Sequence, residues 1–171
     1  MDDDDFERFY TASYTRLLWE LFAATGGDLP EAEDALQEAY ARAALRWRRI
    51  RAYDQPAAWV RRVALNLAAS AARRARRRAA VLLRLAPPAP PATATPELSA
   101  DSLDLAAALR TLPTGQRQVI VLYHLVDLPV AEIARQLHLP VGTVKARLAR
   151  GRRALGRRLG VNMPQEVHSN G

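Results

Sequence analysis

The stretch VAEIARQLHLPVGTVKARLARGRRAL, Val130–Leu155, carries two helical periods separated by a few residues. Ile133, Ala134 and Leu137 recur at the spacing of one apolar helix face, and Val144, Leu148 and Leu155 form the stripe of a second, longer helix. Between them Leu139 plugs a tight turn, and Pro140 suits the first turn of the helix that follows. Two short helices packed at a steep angle make a helix-turn-helix, and the second helix of such a pair enters the major groove of DNA. At roughly 100° per residue, the face opposite the apolar stripe carries Gly142, Ala146, Ala149, Arg150 and Arg153, with Lys145, Arg147 and Arg152 at its edges. Small central residues permit close approach to base edges, and the cations meet phosphates. A solvated arginine face on an amphipathic surface helix is the plainer reading. The coincidence of helix, turn and basic face favours DNA. The motif alone does not separate a repressor from a polymerase subunit.

Upstream, the same periodicity predicts a helix near Leu103–Leu112, another from Thr114 to Leu125, a short one over Val130–Leu137 and a last one over Val141–Leu159. The segment LAPPAPPATATPELSAD, Leu85–Asp101, holds five prolines and cannot form helix interior. It reads as an extended linker between a first unit at 1–84 and a second at 102–160, followed by a polar tail at 161–171. In the first unit Phe6, Phe9, Tyr10, Tyr14, Leu17, Leu18 and Leu21 mark a helix that Gly26-Gly27 ends. A second helix is predicted from Pro30 to about Arg48, with Asp28 in its cap region and Ala32, Ala35, Leu36, Ala39, Tyr40 and Ala43 inward. A third begins near Pro56, carries Trp59, Val60, Val63, Leu67 and Ala71 inward, and runs into Arg73–Arg78. No segment alternates with period two. The expected fold is all-α: two small helical domains joined by a Pro-rich linker, the second containing the helix-turn-helix.

Composition narrows the function classes. Apolar residues make up 49% of the 171, enough for a core, and aromatics only 6%; that balance favours helices. With no cysteine, disulfides, thiolate metal sites and cysteine nucleophiles are excluded. His124, His138 and His168 lie far apart without ligand spacing, and no nucleophile–base pair or phosphate loop appears. No catalysis, cofactor or metal is therefore expected. The start MDDDDF is the reverse of a charged signal peptide, and no apolar run approaches the roughly 20 residues of a membrane span. A cytoplasmic protein with no membrane partner is expected. Net charge is +7, but it is unevenly placed. Residues 1–40 are strongly acidic, residues 41–84 carry many arginines against the single acid Asp54, and a second basic block runs from Lys145 to Arg158. Different surfaces thus await different partners, and the basic ones suit a polyanion.

Three motifs in order resemble one family. AEDALQEAYARAALRW (Ala32–Trp47), AWVRRVALNLAASAARR (Ala58–Arg74) and LRTLPTGQRQVIVLYHLVDLPVAEIARQLHLPVGTVKARLARGRRAL (Leu109–Leu155) are similar to segments of the extracytoplasmic-function (ECF) sigma factors, in the sigma-70 family of bacterial RNA polymerase. The likeness spans about 6–83 and 104–159. It implies a protein that binds core RNA polymerase and directs promoter-specific initiation. The first segment would bind polymerase, the second read and melt the −10 element, and the third read the −35 element. Carried over by position, Asp34, Gln37 and Glu38 face the polymerase. By the same resemblance Asn66 would help hold a flipped promoter base, a role its donating and accepting amide suits. Tyr53, Asp54 and Gln55 lie in the loop that forms the base pocket, and Arg61, Arg62, Arg73 and Arg74 are phosphate candidates. The linker would thread toward the polymerase active-site channel, and an anti-sigma protein is a common family partner.

The chain departs from the family where Pro129 and Pro140 replace the usual Ser or Thr caps. It departs again where Ala146 and Ala149 replace larger side chains, leaving methyl contact to thymine as the readout there. The competing reading is a regulator that binds an operator as a dimer. It needs a dimerisation surface or an effector domain, and no heptad seam is present.

Overall fold

The first two helices stop where they do for chemical reasons. The computed structural model describes residues 2–82 and 100–160, which form eight helices and, among the described residues, no strand. The predicted linker and tail lie almost wholly outside the described residues; the linker's last two residues, Ala100 and Asp101, already belong to a helix. Helix α1, Asp2–Thr25, ends at Gly26 and Gly27, both at positive φ (79° and 86°). Gly27 N–H donates to the Phe22 carbonyl (2.8 Å) and Gly26 N–H to that of Ala23 (3.1 Å). This pair of bonds is the Schellman closure that a left-handed glycine permits.

Helix α2, Leu29–Ala44, is capped by Asp28, whose carboxylate accepts from the Glu31 N–H at 3.0 Å. The six inward residues predicted for it are all buried. It does not continue to Arg48. The chain breaks after Ala44 and restarts as the single turn α3, Trp47–Ile50. The break turns Trp47 inward, where its ring stacks on Phe9 with centroids 4.8 Å apart and its Nε1–H donates to Asp5 at 3.2 Å. Aromatic packing thus prevails over local helix propensity. Helix α4, Pro56–Leu82, then packs along α2.

The second group is α5 (Ala100–Arg110), α6 (Thr114–His124), α7 (Val130–Leu137) and α8 (Val141–Leu159). Leu109, Leu122, Ile133, Val144 and Leu148 are fully buried in its centre. The turn between α7 and α8 is made by His138 in the left-handed region (φ 52°), with Leu139 N–H donating back to the Ala134 carbonyl at 2.9 Å. Leu139 is half-buried beneath the turn. Pro129 and Pro140 precede their helices and supply no side-chain cap bond. The two groups also touch one another: α1 packs on α5 and α6, and α4 on α7.

Candidate nucleic-acid interface

Helix α8 presents the face its spacing predicted. Val144, Leu148 and Leu155 are buried against α6 and α7, leaving Gly142, Lys145, Ala149, Arg150 and Arg153 exposed and Ala146 half-exposed. Gly151 lets α8 approach α6 closely: a Cβ there would stand 2.8 Å from Ile120 Cγ1. The Arg150 and Arg153 Nε–H groups point back along the helix toward the Ala146 and Ala149 carbonyls (3.3 and 3.4 Å). With Arg157 and Gln116 they border a shallow concavity between α8 and α6. Such a row of exposed cations suits phosphates, whereas Lys145 lies nearer the helix start, where base edges are approached. Two flanking cations behave differently. Arg147 lies over Gly115, where an added Cβ would stand 2.8 Å from its Nη1. Arg152 is not at the edge of the exposed α8 face at all. It is buried, its Nε donates to His124 Nε2 at 3.2 Å, and its guanidinium sits 4.9 Å from the centre of the Tyr123 ring. Burial and the neighbouring Arg152 charge both hold the His124 imidazole below its usual pKa, so the ring stays a neutral acceptor.

On the first group, the loop after α3 leaves Tyr53, Asp54 and Gln55 exposed. Asn66 is exposed on α4, as are Arg73 and Arg74 further along it, and Arg62 is half-exposed. Arg61 departs from its expected role as a phosphate contact. It is 4% exposed, and its guanidinium is held by Glu20 through two bonds, Nε to Oε2 at 2.6 Å and Nη2 to Oε1 at 3.2 Å. The doublet Arg61-Arg62 spans the helix surface, so only its second member reaches solvent. Asp34, Gln37 and Glu38 form an exposed polar strip on α2, away from its buried alanines. The structure therefore gathers Tyr53, Gln55 and Arg62 with the half-buried Trp59 along one cleft. It keeps the α2 strip and the α8 face as separate surfaces.

Sequence reasoning did not find the opposite wall of that cleft, which is Glu132, Arg135 and Gln136 of α7. Hydrogen bonds from Gln136 and Arg135 hold the Glu132 carboxyl below the usual range. It also missed Arg117, buried in α6 and bonded through Nε to the Ala24 carbonyl at 2.6 Å. A signal was present: Arg117 and Gln118 open an otherwise apolar run, RQVIVLY, on a helix with few exposed positions.

Comparison with known proteins assigns the chain to a family. Residues 11–78 match the Sigma-70 region 2 family and residues 102–155 the Sigma-70, region 4 family. The chain belongs to the sigma-70 family, among its ECF sigma factors. It is 31% identical over 159 residues to the ECF RNA polymerase sigma factor SigW of Bacillus subtilis, covering 85% of this chain and 84% of that one. It is 32% identical over 145 residues to ECF sigma factor SigM of Mycobacterium tuberculosis, covering 85% and 72%. In structure it is similar to the sigma factor RpoE of Bartonella quintana, solved with the anti-sigma factor NepR. That likeness has a TM-score of 0.72 over 93% of this chain and 99% of that one; at 22% identity it speaks to the fold. It is also similar to CnrH, solved with the cytosolic domain of CnrY, with a TM-score of 0.62 and 26% identity over 92% and 89%. As a sigma factor, the chain directs transcription initiation by RNA polymerase, and the stand-alone regulator is not favoured. Among the described residues no helix is long and apolar enough to cross a membrane.

Proposed function

We propose that each surface of this sigma factor serves one step of promoter use. Residues 1–84 dock on core polymerase through Asp34, Gln37 and Glu38 and capture the melted −10 strand. Tyr53, Asp54 and Gln55 border the base site, Asn66 hydrogen-bonds a flipped base, and Arg62, Arg73 and Arg74 meet phosphates. Residues 102–160 read the −35 duplex: Lys145 by base contact, Ala146 and Ala149 by methyl contact, and Arg147, Arg150 and Arg153 through phosphates. Residues 85–101 connect the two. The protein itself performs no catalysis and acts in the cytoplasm beside its polymerase. Because RpoE of Bartonella quintana was solved with an anti-sigma factor, an anti-sigma protein is a further expected partner.

The observation that carries this reading is the separation of exposed faces: an acidic strip on α2, an amide and a loop on the α4 side, and a cationic face on α8. A lone operator-binding protein has no use for the first two. Replacing Asp34, Gln37 and Glu38 together with Ala should weaken retention by core polymerase in gel filtration at least tenfold, with helical circular dichroism unchanged. Wild-type retention of the triple variant would remove α2 from the docking surface.

A further inference from the structure

We propose that the arginines around α3, Arg46, Arg48, Arg49 and Arg51, bind phosphates of the melted promoter strand, and that the four aspartates in the first turn of α1 compete for this track. The proposal rests on the reading of Tyr53, Asp54 and Gln55 as the border of the strand site.

The arginines form the first half of the argument. From Ala41 to Tyr53 the chain carries Arg42, Arg46, Arg48, Arg49 and Arg51 and no acid. Arg42 is paired with Glu38 on its own helix at 2.7 Å. The other four are exposed. The break after Ala44 sets them out: Trp47 and Ile50 turn into the core, and the arginines that flank each of them stay outside. Arg46, Arg48 and Arg49 border a concavity of about 480 Å³ beside Leu45 and Trp47. Arg51 stands two residues before Tyr53, so the track runs up to the loop of the strand site. Exposed guanidiniums in a row suit a row of phosphates.

The aspartates form the second half. Asp2, Asp3, Asp4 and Asp5 open α1. Acids suit a helix N-terminus, where they meet the positive end of the macrodipole. That does not account for the direction in which Asp5 reaches. Its Oδ2 accepts from Trp47 Nε1 at 3.2 Å and stands 3.9 Å from Arg51 Nη1. Asp5 thereby fixes the first turn of α1 against α3. Four successive helical residues span only about 4.5 Å along the axis, so four negative charges are concentrated at that contact.

The Asp5–Arg51 pair is exposed on both sides, 38% and 43%. Such a pair contributes little and is screened by salt. The carboxylates are therefore exchangeable stand-ins for phosphate, since both are anions that accept from guanidinium. A strand that enters at Tyr53 with its phosphates over α3 displaces them. Strands of any sequence meet this opposition. One held by charge alone has nothing to offset it, whereas one with a captured base does.

The test uses the full chain assembled with core polymerase and a fluorescent single-stranded −10 oligonucleotide. Replacing Asp2, Asp3, Asp4 and Asp5 with Asn removes four charges and keeps an oxygen that accepts from Trp47. Anisotropy should show affinity raised about fivefold or more at about 0.05 M salt, and by under about twofold at about 1 M, where the Debye length is about 3 Å. Arg46→Ala, Arg49→Ala and Arg51→Ala together should weaken the same binding and lower its salt slope by about 0.7 per arginine. In that background the Asn changes should gain under about twofold, because the cations they uncover are gone. Binding of −35 duplex by the same complex should not change. Should the change at Asp5 disturb α1, the variant that keeps Asp5 and replaces Asp2, Asp3 and Asp4 should still gain affinity at low salt. Wild-type affinity of both Asn variants at low salt, or an undiminished gain without the three arginines, would overturn the proposal. An equal gain on −35 duplex would overturn it too, as a general effect of charge. If Tyr53→Ala and Asn66→Ala leave strand binding unchanged, the strand-site reading fails instead.

Discussion

Arg61 shows how far a residue's role depends on its surroundings. Its sequence neighbour Arg62 has the same chemistry, yet one is buried on Glu20 and the other borders the cleft between α4 and α7. Nothing in the string VRRVA says which arginine turns inward; that is set by the phase of α4 against α1. Removing one partner of a buried pair leaves the other charge uncompensated, which costs about 3–5 kcal/mol. Arg61→Met should therefore lower stability by that amount in urea unfolding, and Glu20→Leu combined with Arg61→Met should recover most of it. A stable Arg61→Met chain with weakened DNA binding would instead restore the phosphate role. On α8 the phase was legible, because Val144, Leu148 and Leu155 fix it and all three are buried. There Arg150→Ala and Arg153→Ala should weaken binding evenly across −35 variants and reduce the salt slope by about 1 each. Lys145→Ala should lose roughly 1–3 kcal/mol on the preferred site and little elsewhere. Fluorescence anisotropy on single-base variants at several salt concentrations separates the two patterns. A uniform loss for Lys145→Ala with relaxed specificity for Arg150→Ala would mean the helix is rotated on DNA.

Elements were predicted best where the local signal was clear: Asp28 marked the start of α2, and the apolar period alone marked Val130–Leu137 for α7. The break between α2 and α3 was not legible, because ARAALRWRR is all good helix former. What ends α2 is tertiary: Trp47 is drawn onto Phe6, Phe9 and Asp5 of α1. Two element contacts can be tested directly. Alanine is the better helix former than glycine by about 1 kcal/mol, yet Gly151→Ala would press on Ile120 and should destabilise by about 1–3 kcal/mol. In an Ile120→Ala background the same change should become neutral or stabilising. Additive effects in that double-mutant cycle would deny the contact. The second contact is the Arg152–His124 bond joining α8 to α6. Because the folded pKa of His124 lies below its unfolded value, the unfolded chain takes up the proton first as pH falls. The stability this group contributes is present above about pH 6.5 and is lost as pH falls from there through the lower folded value. The melting temperature should drop more steeply between pH 7 and 5 in the wild type than in His124→Gln, whose side-chain oxygen still accepts from Arg152. Parallel pH profiles would show that the bond is not sensed.

At the scale of the molecule, the order of motifs was readable and the relation between the two groups of helices was not. Three segments matching one family in sequence order are a property of the chain. The docking of Arg110 and Arg117 on the end of α1 joins residues more than eighty positions apart, and no local pattern encodes it. The α4–α7 cleft was hidden for the same reason: its two walls, around Trp59 and Glu132, belong to different motifs. The whole chain then has to do what no part does, which is to bring polymerase to one class of start site. Run-off transcription with purified core polymerase on a genomic promoter library, with and without the full chain, tests this most directly. Discrete transcripts that appear only with the chain, from templates sharing elements near −35 and −10, are the predicted result. An unchanged transcript pattern, with the chain still folded and still binding DNA, would contradict it.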